Sequence, residues 1–212
     1  MERIPIMKYL LPILFAFCLF SCQHHSDNWE KICDIENYIE SRPDSALVVL
    51  EAIDVKSLSS DEEKAKYALY MSMALYKNYI DKTDFEVLQP AIDYFENHGS
   101  ATDKLRTFYY QGRFFYNRGE IGDAMECLIK SIDLGKTSSD LLTKARNYTV
   151  QGTLYYLYYN WNKIIECSLA ACDCYKTIGD IDNYGHYILI PYGLSQYRQK
   201  EQVYPNIESY SL

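Results

Sequence analysis

The sequence predicts an all-α fold, an α-solenoid of antiparallel helix pairs, and two observations carry that reading. Small residues (Ser72, Gly112, Gly152), basic residues (Lys66, Arg106, Arg146) and tyrosines (Tyr76, Tyr116, Tyr156) each recur every 40 residues. A fixed period of this size marks stacked copies of one helix pair. Apolar residues elsewhere keep helical spacing, and no strand-period stretch, βαβ pattern, GxGxxG or P-loop is present, which argues against a nucleotide-binding fold.

Near the start of the chain come the basic Arg3 and Lys8, an apolar run from Tyr9 to Phe20 and the small Ser21, the order of a secretory signal peptide over residues 1–21. The run is too short to cross a bilayer as a helix, which takes about 20 residues. Met7 is an alternative start. Residues 22–28 read as a polar tether, 29–199 as the helical repeat domain and 200–212 as an irregular tail. Within the domain, Trp29 to Ser41 places Ile32, Ile35 and Ile39 on one helical face, and Pro43 breaks that helix and starts a second with Ala46, Leu47, Leu50 and Ile53 inward.

Ser60 and Glu63 form a capping box that opens a long helix to about Tyr79. Its partner is expected over 84–97, ended by His98-Gly99. Residues 100–117 with 120–134, and 139–159 with 162–178, make two further pairs. A last helix, 180–199, has no partner and crowds Tyr187, Ile188, Leu189, Ile190, Tyr192 and Leu194 together, so it is expected to dock on something or to remain sticky. Gly112 and Gly152 are expected at close helix–helix contacts.

Removing residues 1–21 leaves 19 basic and 28 acidic side chains, a formal charge of −9, which argues against nucleic acid as a partner. Beyond Cys18 and Cys22, five cysteines remain: Cys33, Cys127, Cys167, Cys172 and Cys174. Their number is odd and their spacings fit neither a disulfide framework nor a CxxC pair, so they read as small buried apolar residues. His24 and His25 adjoin on a tether, and His98 and His186 lack partners by spacing. No catalytic, cofactor-binding or metal-binding residue is expected, and the chain does not read as an enzyme.

Leu19-Phe20-Ser21-Cys22 resembles the lipobox of bacterial lipoproteins, which implies lipid on Cys22 as the first mature residue. Gln23 follows it where Asp would imply inner-membrane retention, so the resemblance points to the cell envelope and to the outer membrane over the inner. Phe108, Gly112, Phe115, Ala124, Leu128 and Ser131 have the spacing of the tetratricopeptide repeat. Tyr148, Gly152, Tyr155 and Ala171 repeat it, with Ile164 and Ser168 as departures. With Arg42-Pro43-Asp44-Ser45-Ala46 and Lys77-Asn78-Tyr79-Ile80-Asp81, the chain resembles a family of bacterial lipoproteins with tetratricopeptide-like repeats, of which it looks like a short or truncated member.

In that repeat the second, fifth, ninth, twelfth and thirteenth residues of each first helix line a concave face. The resemblance therefore implies a ligand groove containing Lys66, Tyr76, Lys77, Arg106, Tyr109, Arg113, Tyr116, Arg146 and Tyr156, with five cations and no carboxylate. Arginine pairs with carboxylates and tyrosine offers rigid contact area, so the expected ligand is a protein or an acidic peptide segment, bound by a membrane-anchored, non-catalytic scaffold. The alternative is a glycan- or nutrient-capture lipoprotein, with Trp29 and Trp161 the only tryptophans to serve it.

Overall fold

The computed structural model describes residues 26–80 and 86–187. Among them no strand occurs. The α-helices are α1 (Trp29–Ile35), α2 (Pro43–Glu51), α3 (Asp61–Lys77), α4 (Gln89–Phe95), α5 (Ala101–Asn117), α6 (Ile121–Leu134), α7 (Leu141–Leu157) and α8 (Trp161–Ile178), with a 3-10 turn at Val55–Ser57. Residues 181–187 are again helical. The expected signal peptide, Cys22, the expected tail and residues 188–199 of the expected last helix lie outside the described residues.

Each helix packs on its neighbour along the chain, and the odd-numbered helices also touch in sequence, α1 on α3, α3 on α5 and α5 on α7. The architecture is thus all-α, built from consecutive packed helices. One core runs from Ile32, Ile35 and Ile39 through Leu50, Leu69 and Tyr70 to Phe95, Tyr110, Leu128 and Leu154. A smaller cluster joins Ala145, Ala171 and Tyr175 at the far end. Burial of these side chains, each contributing roughly 1.5–3 kcal/mol, is the main stabilising term.

The helix starts repeat more regularly than the apolar pattern alone implies. The Ser60 hydroxyl accepts from Glu63 N, Ser100 forms a reciprocal capping box with Asp103, and the Asp140 carboxylate accepts from Thr143 N. The Asp180 carboxylate accepts from Asn183 N. These caps, at positions 60, 100, 140 and 180, each stand one repeat period from the next. Each satisfies an otherwise orphaned N–H of the first turn. The Glu63 carboxylate is fully buried and accepts from the backbone N–H of Ser59, at 2.7 Å, and of Ser26. It thereby fastens the start of the described chain to α3.

Two elements are shorter than expected. The first helix ends at Ile35 and continues as turns to Ser41, held by Ile39 N to Ile35 O and Arg42 N to Tyr38 O. The fourth begins at Gln89, where Pro90 suits a first turn, rather than near 84.

The two glycines of the repeat diverge. A Cβ on Gly112 would lie 2.9 Å from Leu128 Cγ and 3.2 Å from the Ala124 carbonyl oxygen, the expected close approach. A Cβ on Gly152 would meet only Cys167 Cβ, at 3.5 Å, an ordinary contact. The expected tight contact at Gly152 is therefore absent. The cause is local: Ser168 occupies the position equivalent to Leu128, one period on, and is too short to reach Gly152, which with Ile164 and Ser168 helps to line a cavity of about 430 Å³. Gly135, by contrast, sits tightly on α5, where a Cβ at 135 would lie 2.5 Å from Leu105 Cβ.

Buried polar groups between α6 and α7 are mutually satisfied. Ser131 Oγ donates to Leu105 O at 2.7 Å, Asn147 Nδ2 donates to Leu128 O and Ser131 Oγ, and Gln151 Nε2 donates to Asn147 Oδ1 at 2.8 Å. This network fixes the register of α7 against α6.

Gly112→Leu is expected to overpack α5 against α6 and to cost about 1–3 kcal/mol, whereas Gly152→Ala is expected to raise stability by about 0.5–1 kcal/mol through better helix propensity. Chemical denaturation of the two variants beside the parent checks both. Equal losses would contradict the asymmetry.

Candidate ligand cleft

The recurring basic residues come from the first halves of α3, α5 and α7, and each points towards an acid. Lys66 Nζ lies 2.5 Å from Asp103 Oδ1. Arg106 Nε lies 2.6 Å from Asp140 Oδ2, and its Nη1 lies 2.7 Å from Glu36 Oε1. Arg146 Nη1 lies 3.0 Å from Glu40 Oε2, and Lys77 Nζ lies 2.6 Å from the same oxygen. The carboxylate-free face expected from the sequence does not form. Asp103 and Asp140 belong to the caps of the following first helices, and Glu36 and Glu40 to the turns after α1, which bring them against Arg106 and Arg146, 70 and 106 positions away.

These pairs are partly shielded from solvent, and the charges respond. Burial opposes the Arg106 cation, but the Asp140 and Glu36 carboxylates more than offset it and its pKa rises. Burial likewise opposes the Asp140 carboxylate, yet Arg106 and the Thr143 N–H hold its pKa below 3.8. Burial pushes the Lys77 ammonium down, with Glu40 partly compensating. Glu36 also accepts from the Tyr70 hydroxyl at 3.0 Å.

Arg113 differs from the other four. Its Cζ lies over the Tyr76 ring at 5.1 Å and the Tyr116 ring at 5.2 Å, and it has no carboxylate partner among the described residues. Its buried Nε has no hydrogen-bond partner there either. Arg113 lines a cleft of about 610 Å³ with Glu40, Tyr76, Lys77, Tyr109 and Arg146, and Tyr79 and Asn117 complete the wall.

Of the nine groove residues expected from the sequence, the structure thus gathers Tyr76, Lys77, Tyr109, Arg113 and Arg146 around one cleft, with Tyr116 steadying Arg113. Tyr109 is almost wholly buried there and packs edge-on against Tyr110. Lys66 and Arg106 stand apart in their ion pairs. Tyr156 lies at the 430 Å³ cavity instead, 57% exposed, with its ring 6.0 Å from Trp161 and 6.4 Å from Tyr159. Sequence reasoning passed over Glu36 and Glu40. Their signal was present: acids four apart, beside the Ile32–Ile35–Ile39 stripe.

The five described cysteines are unpaired. Burial pushes the thiols of Cys127 and Cys167 up to about 12 and about 11, which keeps them protonated and unreactive at neutral pH. Among the described residues no three His, Cys, Asp or Glu side chains converge as a metal site, and no helix is long and apolar enough to cross a membrane. Comparison with family models, curated proteins and solved structures finds no match.

The lowered pKa of Asp140 carries a pH dependence. Its pairing stabilises the fold fully above the unfolded value near 3.8, and this contribution is lost as pH falls through the lower folded value. Asp140→Asn is therefore expected to cost about 1–3 kcal/mol at pH 7, through the cap and the Arg106 pair together. The gap to the parent should shrink as the solution is acidified through the carboxylate range. A gap that stays constant to pH 2 would contradict the pairing.

Proposed function

We propose that the chain is a lipid-anchored lipoprotein of the cell envelope, whose tetratricopeptide-like helix pairs form a non-catalytic scaffold for a protein or peptide partner. One observation carries the reading: the period of the sequence repeat coincides with the period of the helix caps at 60, 100, 140 and 180. Units of this size bury their faces only against neighbours and present an extended surface, which suits recognition of another chain.

The anchor rests on Leu19-Phe20-Ser21-Cys22 after the apolar run, and Gln23 favours the outer membrane. Ser26, held by Glu63, begins the described fold, so the link back to Cys22 spans about 14 Å at full extension. On this reading the repeats ride close to the lipid surface. Two or more acyl chains would make such an anchor stable. The partner's acidic contact is sought at the cleft around Arg113.

A glycan-capture reading has one observation of its own, the ring cluster of Tyr156 and Trp161, which line the 430 Å³ cavity, with Tyr159 packed against both. Exposed aromatic faces can stack on sugars as well as on side chains.

Mass spectrometry of the mature N-terminus is expected to find an acylated Cys22, and fractionation is expected to place the protein in the outer membrane. An unmodified N-terminus at another residue would sink the anchor. Crosslinking in intact cells, followed by a glycan array on the same preparation, is expected to yield a protein partner and no sugar. The opposite result selects the glycan reading.

A further inference from the structure

We infer that the 430 Å³ cavity lined by α7, α8 and residues 186–187 is a binding site for a small, neutral aromatic molecule that carries an N–H or O–H donor, the indole or phenol class. Such a site is separate from the Arg113 cleft and does not depend on the scaffold reading. Its volume falls within the range of pockets that enclose small molecules, roughly 300–1,000 Å³. No Asp, Glu, Lys or Arg lines it among the described residues. A charged ligand would lose its water there and gain no counter-charge, so the ligand is neutral.

The walls are aromatic. Tyr148, Tyr156, Trp161 and Tyr187 line the cavity, and three of these four are braced by rings behind them. Tyr159 packs against Tyr156 and, at 5.9 Å, against Trp161. Tyr175 stacks on Tyr187 at 5.7 Å, with the ring planes 12° apart. Rings fixed before a ligand arrives lose little freedom on binding it, and a flat π-system suits them edge-on or offset.

The polar groups set the direction of the hydrogen bonds. Ser168 is only 5% exposed, lines the cavity and makes no hydrogen bond among the described residues. A buried hydroxyl without a partner is costly, and a ligand in the cavity would satisfy it. The Thr149 and Thr153 hydroxyls, also in the lining, donate to the Ala145 carbonyl at 3.0 Å and the Thr149 carbonyl at 3.1 Å. Their protons are spent, so towards the cavity they can only accept. The ligand therefore donates. A sugar fits less well, because most of its hydroxyls would face rings and find no partner.

The test is NMR titration of the purified full-length protein with indole, beside benzofuran, glucose and acetyl-tryptophan-amide. The chain has two tryptophans, Trp29 and Trp161, so their side-chain N–H signals locate the binding. Indole is expected to shift the Trp161 signal saturably and to leave Trp29 unmoved. It should bind several-fold more tightly than benzofuran, which has its shape without the donor, and at least about tenfold more tightly than glucose. Thr153→Val is expected to reduce the advantage over benzofuran. Ser168→Leu, which carries the residue found at 128 into the cavity, is expected to weaken indole about tenfold or more while melting no lower than the parent. Thr153→Val decides the matter if Ser168→Leu does not fold. No saturable shift at Trp161, benzofuran or glucose binding as tightly, or variants that bind like the parent would overturn the site. Tighter binding of acetyl-tryptophan-amide would assign the cavity to a side chain of a partner and overturn it too. A parent that binds no probe, with Ser168→Leu melting well below it, would show the cavity filled by the chain itself, and the site would fall.

Discussion

A basic residue one turn into α3 and another one turn into α5 each reach forward to the acid at the start of the next first helix, and much of the structure depends on those contacts. Lys66 on α3 meets Asp103 on α5, and Arg106 on α5 meets Asp140 at the start of α7. The acids are also helix caps, so the same carboxylate satisfies orphan backbone N–H groups and a neighbouring cation. Helix start and helix–helix spacing are thereby set by one group. Isolated surface ion pairs contribute little, but pairs shielded from solvent and tied into a cap are costly to break on one side only.

The N-terminal segment completes the arrangement from outside the repeat. Ile32, Ile35 and Ile39 bury one face of it in the common core, and Glu36 and Glu40 on the other side take up Arg106, Arg146 and Lys77. The row of cations that the repeat places along α3, α5 and α7 is thus largely consumed within the molecule. Arg113 stands outside these pairs, bracketed by tyrosines and with no carboxylate partner among the described residues.

The helical architecture was legible in the sequence because its signals are local. Ser60 and Ser100 sit directly before apolar periodic runs, and Pro43 and the Gly119 loop mark breaks that no tertiary contact overrides. Gly112 was legible for the same reason, since Ala124 and Leu128 complete its motif. Gly152 was not: its fate turns on Ser168, a single side chain too small to reach it. The candidate site was only half legible. Helical spacing put Tyr76, Lys77, Arg113 and Arg146 on one face, but nothing within a repeat reveals that Glu40 arrives from 106 positions away to neutralise Arg146. Long-range pairing of that kind follows from how the N-terminal segment lies across the later helices, which spacing does not encode.

A double-mutant cycle on Lys66 and Asp103 tests the central claim most directly. Lys66→Met, Asp103→Asn and the double variant, compared with the parent by urea denaturation at low salt, isolate the pair from the cap that Asp103 also provides. The predicted coupling is about 1 kcal/mol or more, reduced by salt. Additive effects, with a coupling below about 0.3 kcal/mol, would show that Lys66 does not hold α3 to α5 through Asp103 and would contradict the account.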